Sequence, residues 1–485
     1  MDSQPTVMEA PAGAAAASAT VTCDQAVFSS VRTPTGQGYR IIAASKGLTP
    51  EEKRDITTRS PSHGGLCDEG PDASAVAFYR LSTGRLALSY SCDAGAEHTG
   101  RGVRRIYTHI TVIAEADFAR FGYNPSNVLM AVDACGALQV QLQPPHILNE
   151  LVLTPSNRTD AERAAAAAER CGAPWVVYAL SLVLSKQRVV TGGTFDPGDW
   201  IEAVLFGVPG PLRAEVSFSA GLRYTVGRPY GLSAVNGDLQ KARRLVRGQK
   251  VTYLEPESQP ATPARKDSAW LQMVENHYRD GRCKALADIT SQAIPDCSVA
   301  ALDRIAALAL DAETAASART ADVLRLAEDR ADLATVNSFE AALLDKLHIA
   351  IQKHLHDRLR HECDVQPFLS DLTRLLQQSR RAADIVLPAV RLAIQRLATA
   401  APHRAAAFAL EAVAACRDAD HVASLVPCLS DVLSGFRSWV LTAVPKELEA
   451  GRAILTEWQF KRSESDEVTA ILAQIDDRLQ ALQYS

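Results

Sequence analysis

The chain has 485 residues, 47% hydrophobic and 22% charged, and a formal net charge of −5. Such a length accommodates two or more domains, the composition is that of a soluble globular protein, and the charge gives no overall reason to expect nucleic acid or an anionic membrane as partner. The ten cysteines lie singly with no Cys-x-x-Cys pair, which argues against a disulfide framework or zinc ribbon and for reduced, buried thiols.

Residues 1–20 are Ala-rich but have neither a basic start nor a continuous apolar core, so they read as a disordered lead-in and the protein as cytoplasmic. From Gln25 to Leu66 the local signals agree closely. Ala26 to Val31 is a β-type run, residues 33–38 supply turn formers, and Tyr39 to Ala44 follows at hairpin distance. Thr49-Pro50-Glu51-Glu52 starts a helix, with Thr49 as N-cap, Pro50 in the first turn and Glu52 closing a capping box. Ala75 to Leu81 and Arg85 to Cys92 are strand-like runs across a short Gly-containing turn. Tyr107 to Ala114 alternates as a half-buried strand would. Short helices are expected at 116–121 and 125–134, and strands at 138–142 and 151–153.

Two blocks in this stretch carry a family resemblance. The first is Gln25 to Val31 with Gly36-Gln37-Gly38-Tyr39-Arg40, Ser45 to Thr49 and Ser60-Pro61-Ser62; the second is His98 to Gly102 with Tyr107-Thr108-His109. In order and spacing they resemble the N-terminal domain of bacterial GTPase-associated proteins, and the resemblance covers roughly the first half of the chain. It implies a small GTPase as partner, in a multi-gene bacterial system, and supplies no catalytic constellation.

From residue 160 to 255 helices and strands alternate. Helices are expected at 160–170, 175–184, 197–206 (capped by Asp196) and 238–247, and strands at 187–191, 215–220 and 251–254. Residues 256–266 are Pro-rich and polar, a linker. Beyond it ten segments between 269 and 483 show apolar residues every three or four positions, with no fixed repeat period. The expected fold is therefore an α+β domain of mixed sheet and helices at 21–255, followed by an all-α helical bundle or irregular α-solenoid at 267–485.

Four constellations could carry chemistry. His98, Arg101, Arg104, Arg105 and His109 form a basic cluster beside a Gly-containing turn, in the block that carries the resemblance; with Arg40 they are the candidate partner-binding residues, since arginine suits carboxylate or phosphate groups. A charged loop guarding a sheet edge accounts for the same residues. His63, Cys67 and Asp68 invite a thiol nucleophile, although inert cysteine explains them better. Gly192-Gly193 before a helix start could cradle a phosphate, but a strand-to-helix loop capped by Asp196 explains it fully, and no cofactor fingerprint is present. His348, His354, His356, His361 and Cys363 share one helical segment but fall on two faces, a solvated surface rather than a metal site. The resulting expectation is a cytosolic interaction or regulatory protein acting with a small GTPase or other protein partner, and modulating its GTP hydrolysis, without metal, cofactor or membrane span. Its rival is a hydrolase with a site around His63, Cys67, Arg101 and His109.

Overall fold

The first strand, β1 (Val21–Thr33), organises the amino-terminal half because it is hydrogen-bonded on both sides. The computed structural model describes residues 20–483 apart from 34–35, 69, 97–103, 159–160, 238, 258–267, 293, 295, 362–364 and 463–465. Contacts divide the chain into two units, Met1–Leu302 and Asp303–Ser485. The division falls later than the Pro-rich segment 256–266.

In the first unit β1 pairs antiparallel with β2 (Gly36–Ser45) on one side and, across the α1 helix (Pro50–Arg59) and the hairpin of β3 (Ser74–Arg80) and β4 (Leu86–Ala96), with β5 (Arg104–Ile113) on the other. The start of β1 also pairs with β7 (Leu151–Leu153), and β2 ends against β6 (Ile147–Leu148). Helices α2 (Glu115–Ala119) and α3 (Pro125–Ala134) precede these short strands. The chain then continues as α4 (Ala161–Cys171), α5 (Ala173–Leu184), β8 (Arg188–Gly192), α6 (Pro197–Phe206), α7 (Gly210–Arg213), β9 (Phe218–Ala220), β10 (Leu232–Val235), α8 (Leu239–Val246) and β11 (Val251–Leu254). These later strands are mutually parallel, and β9 joins them antiparallel to β3, giving one 11-stranded mixed sheet. Helices α9 (Ala269–Arg279) and α10 (Cys283–Thr290) pack on α4 and α5. Trp270 on α9 is fully buried and its indole N–H donates to the carbonyl of Gly207.

The sheet is covered on both faces where alternation predicts one wet face. Tyr107, His109 and Thr111 on β5 are no more than 2% exposed. Ile56 of α1 covers the side formed by Ala26, Phe28 and Ile110, and Val27, Ala43, Cys92 and Tyr107 form a second cluster on the other. Two polar members of β5 gain partners inside the sheet, Thr108 with Ser91 at 2.9 Å and His109, through Nε2, with Gln25 at 2.9 Å. Residues 138–142 are irregular instead of the expected strand, and the strand expected at 215–220 shrinks to β9. The four elements that sequence periodicity did not reveal, β6, α7, β10 and α10, span only two to eight residues, too short to establish a period.

The second unit is all-helical. The division between units falls within α11 (Val299–Ala315); then follow α12 (Thr320–Arg330), α13 (Ser338–His361), α14 (Gln366–Gln378), α15 (Arg380–Ala400), α16 (Pro402–Ala415), α17 (Ala419–Trp439), α18 (Pro445–Arg462) and α19 (Asp466–Gln483). Between α12 and α19, helices pack on near neighbours in sequence: α13, α15, α17 and α19 form one row, and α12, α14, α16 and α18 a second. Of the two helical architectures expected, this stacking is that of a solenoid. A repeat is present in the structure although not in the spacing: α15 and α17 are each 21 residues long and carry a proline, Pro388 and Pro427, about two turns from the start. Their close approach depends on Gly435, where an added Cβ would lie 2.2 Å from the carbonyl oxygen of Ala398.

Candidate functional site

Helix α1 begins as its sequence dictates. Thr49 Oγ1 accepts from the Glu52 backbone N–H at 3.2 Å, and Glu52 Oε2 accepts from the Thr49 N–H at 3.0 Å. Glu52 does more than cap: it is fully buried, and its carboxylate also accepts from Thr83 Oγ1 at 2.7 Å and from Arg85 at 3.4 Å. Arg85 continues to Asp24 at 2.6 Å. The capping box is thereby tied to β1 and to the β3–β4 turn, and α1 is held against the sheet.

Beside α1 runs the outer edge of β2. Among the described residues, β2 has a strand on that side only at Ala44 and Ser45, where β6 pairs, so Gly36 to Ala43 present an edge. The register with β1 slips between Val27–Ala43 and Phe28–Ile41, making Ile42 a bulged residue that twists this edge. A groove of about 700 Å³ lies here, lined by Ile41 and Ile42 with Lys53, Arg54, Thr57 and His146. Its polar rim is basic. Arg54 is paired with Glu51 at 2.9 Å, and both are exposed.

The residues predicted from sequence distribute unevenly around this edge. Arg40 on β2 is exposed, and Arg104 at the start of β5 is half exposed with its guanidinium on Asp93. Arg105 is only 8% exposed and donates to the carbonyl of Ala94 at 3.3 Å. His109 is internal: its Nε2 meets Gln25 Oε1, and burial lowers its pKa to about 4, leaving it neutral at physiological pH. His98 and Arg101 lie outside the described residues. The two sequence blocks do come together, because β1 is flanked by β2 and β5. Their polar members pin the sheet: Gln25 N–H donates to Ser45 Oγ at 2.9 Å, Ser29 Oγ to the carbonyl of Ile106 at 2.9 Å, and the Ile106 N–H to Tyr39 Oη at 3.0 Å. Lys53, Arg54 and His146 are additions that sequence reasoning missed. For Lys53 and Arg54 the signal was available, as they lie on the polar face of a helix whose cap is unmistakable.

The other constellations separate or are used internally. His63 is exposed and its ring lies 6.0 Å from that of Tyr39, which packs on the face covered by α1, whereas His109 lies on the opposite face. The two therefore do not converge. Cys67 is buried, and burial raises its thiol to about 11, so it carries almost no thiolate at neutral pH. In the Gly192-Gly193 loop, Glu257 Oε1 accepts from the Thr194 N–H at 2.8 Å and from Thr194 Oγ1 at 2.7 Å, and at the start of the following helix Asp196 Oδ1 accepts from the Asp199 N–H at 3.0 Å, as the capped-loop reading expects. An added Cβ at Gly193 would sit 2.2 Å from the Phe195 ring and 3.3 Å from that same carboxylate oxygen. The glycine thus permits an internal anion to approach.

On α13, His354 is buried within the helical array, where burial lowers its pKa, while His361 is exposed and Cys363 lies outside the described residues. The expected solvated face therefore loses His354 to the interior. Among the described residues no group of three or more His, Cys, Asp or Glu converges as metal ligands would, and no helix is long and apolar enough to cross a membrane.

No curated protein matches the chain. Residues 22–150, which contain β1 through β6 and both sequence blocks, match the family model described as GTPase-associated protein 1, N-terminal domain type 2, the family those blocks resemble.

Proposed function

We propose that this chain is a cytoplasmic interaction and regulatory protein of a bacterial multi-component system, and that it docks a small GTPase along the open edge of β2. The observation that carries the reading is the outer side of β2 from Gly36 to Ala43, which carries no further strand among the described residues, beside a groove with a basic rim and inside the segment that matches the GTPase-associated domain. An edge strand offers a partner its main-chain hydrogen-bonding groups, and the adjacent side chains decide which partner fits. Arg40 and Lys53, together with the basic residues His98, Arg101 and Arg104 that precede the β5 residues Tyr107 to His109 in sequence, favour an acidic surface or the phosphates of the bound nucleotide. The bulge at Ile42 and these charges discourage self-pairing of the edge. Seated there, the chain modulates the GTPase by favouring one nucleotide state over the other, and through that GTP hydrolysis.

The test measures affinity of the full chain for a small GTPase from the same gene cluster, loaded with GDP or with a non-hydrolysable GTP analogue, at two salt concentrations. The Arg40→Glu, Lys53→Glu double variant is expected to bind at least about tenfold more weakly, chiefly through slower association, with an unchanged circular dichroism spectrum. Undiminished affinity in that variant removes the β2 edge from the interface, and equal affinity for both nucleotide states removes the regulatory role.

A further inference from the structure

Within the first unit, α3, α6 and the strands β3 and β9 enclose a cavity of about 140 Å³, away from the β2 edge. Its apolar walls include Val76, Leu129, Ile201 and Phe218. At one side lies Arg213, the last residue of α7, which is 6% exposed. Its guanidinium donates from Nε to the carbonyl of Val208 at 2.8 Å, and from Nη2 to the carbonyl of Phe206 at 3.4 Å and to Thr290 Oγ1 at 3.3 Å. All three acceptors are neutral, and no carboxylate partners Arg213 among the described residues. The other charged groups lining the cavity, Arg163 and Glu202, offset each other in an ion pair of 3.0 Å.

A buried cation without a counter-ion is costly. The carbonyls at the end of α6 supply partial compensation, equivalent to about half a charge, so capping that helix does not neutralise Arg213. Burial lowers its pKa to about 10, which leaves it cationic at neutral pH. Such a site, with one fixed positive group beside a largely apolar space, has the composition of a small-molecule pocket. Its volume is close to the ~150 Å³ of a cavity that admits benzene.

We propose that this cavity binds a small organic acid, its carboxylate paired with Arg213 and its apolar body, about the size of one six-membered ring, held by Val76, Leu129, Ile201 and Phe218. The class is monoanionic because the site has one uncompensated charge, and small because the walls are formed by packed strands and helices. With Nε and Nη2 committed to Val208, Phe206 and Thr290, Nη1 is the guanidinium nitrogen left to make a charge-assisted hydrogen bond to the carboxylate.

The experiment uses the full chain, with benzoate as probe and benzamide as its neutral isostere, in calorimetric titrations and thermal melts. Benzoate is expected to bind and to raise the melting temperature, with benzamide about tenfold weaker or worse. Arg213→Met is expected to abolish the preference for benzoate. Should that variant fail to fold, since Arg213 also closes the end of α6, Ala220→Leu decides, because Ala220 lines the cavity and a larger side chain there fills it. Loss of benzoate binding in Ala220→Leu supports the site. Absence of benzoate binding to the wild-type chain, equal binding of benzoate and benzamide, or unchanged benzoate binding in Ala220→Leu overturns it.

Discussion

The sheet unit and the helical array are held together over different distances along the chain. In the sheet, β1 pairs with β5 across more than seventy residues (Asp24 opposes Val112), and Arg85 joins Asp24 to Glu52 from an intervening hairpin. In the array from α12 to α19, stacking joins each helix to its near neighbours in sequence. The first arrangement ties together strands far apart in sequence through ladder pairs, buried polar bonds and apolar clusters, and the second is built of contacts between helices near one another in sequence. Substitutions in the sheet unit should therefore act cooperatively on distant strands, while those in the array should stay local.

The largest effect is expected from where the first unit is cut. Residues 20–302 should fold alone, whereas 20–255 should not melt cooperatively, since that cut removes Trp270, Met273 and Val274, each fully buried and each contributing about 1.5–3 kcal/mol. Equal melting behaviour of the two fragments would detach α9 and α10 from the fold of the sheet.

Next comes Glu52→Ala. It strips Arg85 of a buried partner and leaves Thr49 N–H and Thr83 Oγ1 without their acceptor, so a loss of roughly 3–5 kcal/mol is expected. Hydrogen exchange checks the contrast: protection should fall in α1, β1 and β4 and hold in α13 through α17. Uniform loss would show that the two regions respond as one.

His109 makes the sheet pH-sensitive. Its folded pKa of about 4 lies below the ordinary value of 6.5, so below pH 6.5 the unfolded chain takes up a proton that the native state refuses. The contribution is full above pH 6.5, declines as pH falls, and has been lost by about pH 4, amounting to roughly 3 kcal/mol. His109→Gln should flatten that slope in denaturation midpoints measured between pH 7 and 4. A slope unchanged by the substitution would assign it to other groups.

In the array, Gly435→Ala forces a Cβ against the carbonyl of Ala398, and a cost of about 1–3 kcal/mol is expected. Its exchange signature should be confined to α15, α16 and α17; spread into the terminal helices would mean that the array is more cooperative than its stacking suggests. Smallest is Thr49→Ala, about 1 kcal/mol through loss of the N-cap bond, read from the denaturant midpoint of the sheet unit. An unmoved midpoint would mean that Glu52 alone holds the start of α1.

Local chemistry made several features legible from the residues alone. The cap of α1 at Thr49, the limits of α3, α6, α9 and β11, and the Asp196 cap all follow from interactions within a few positions of the chain. So does the family to which residues 22–150 are matched, because its blocks retain their order and spacing.

The candidate site was legible only in part, because its exposure is a tertiary property. His109 and Arg104 belong to one short basic block, yet β5 turns the first into the interior and leaves the second half exposed. Whether β2 would be an edge depended on β6 being two residues long, and whether the Gly193 loop was open depended on Glu257. The cavity beside Arg213 needed α3, α6, β3 and β9 assembled around it. Sequence determined the capped helices, the strands of the first half and the periodic helices of the second, since each is stabilised by neighbours in the chain. Tertiary structure alone decided, among the described residues, which side of β2 was left as an edge, which polar groups were buried and that buried Arg213 has no carboxylate beside it, since each of these depends on groups far apart in sequence.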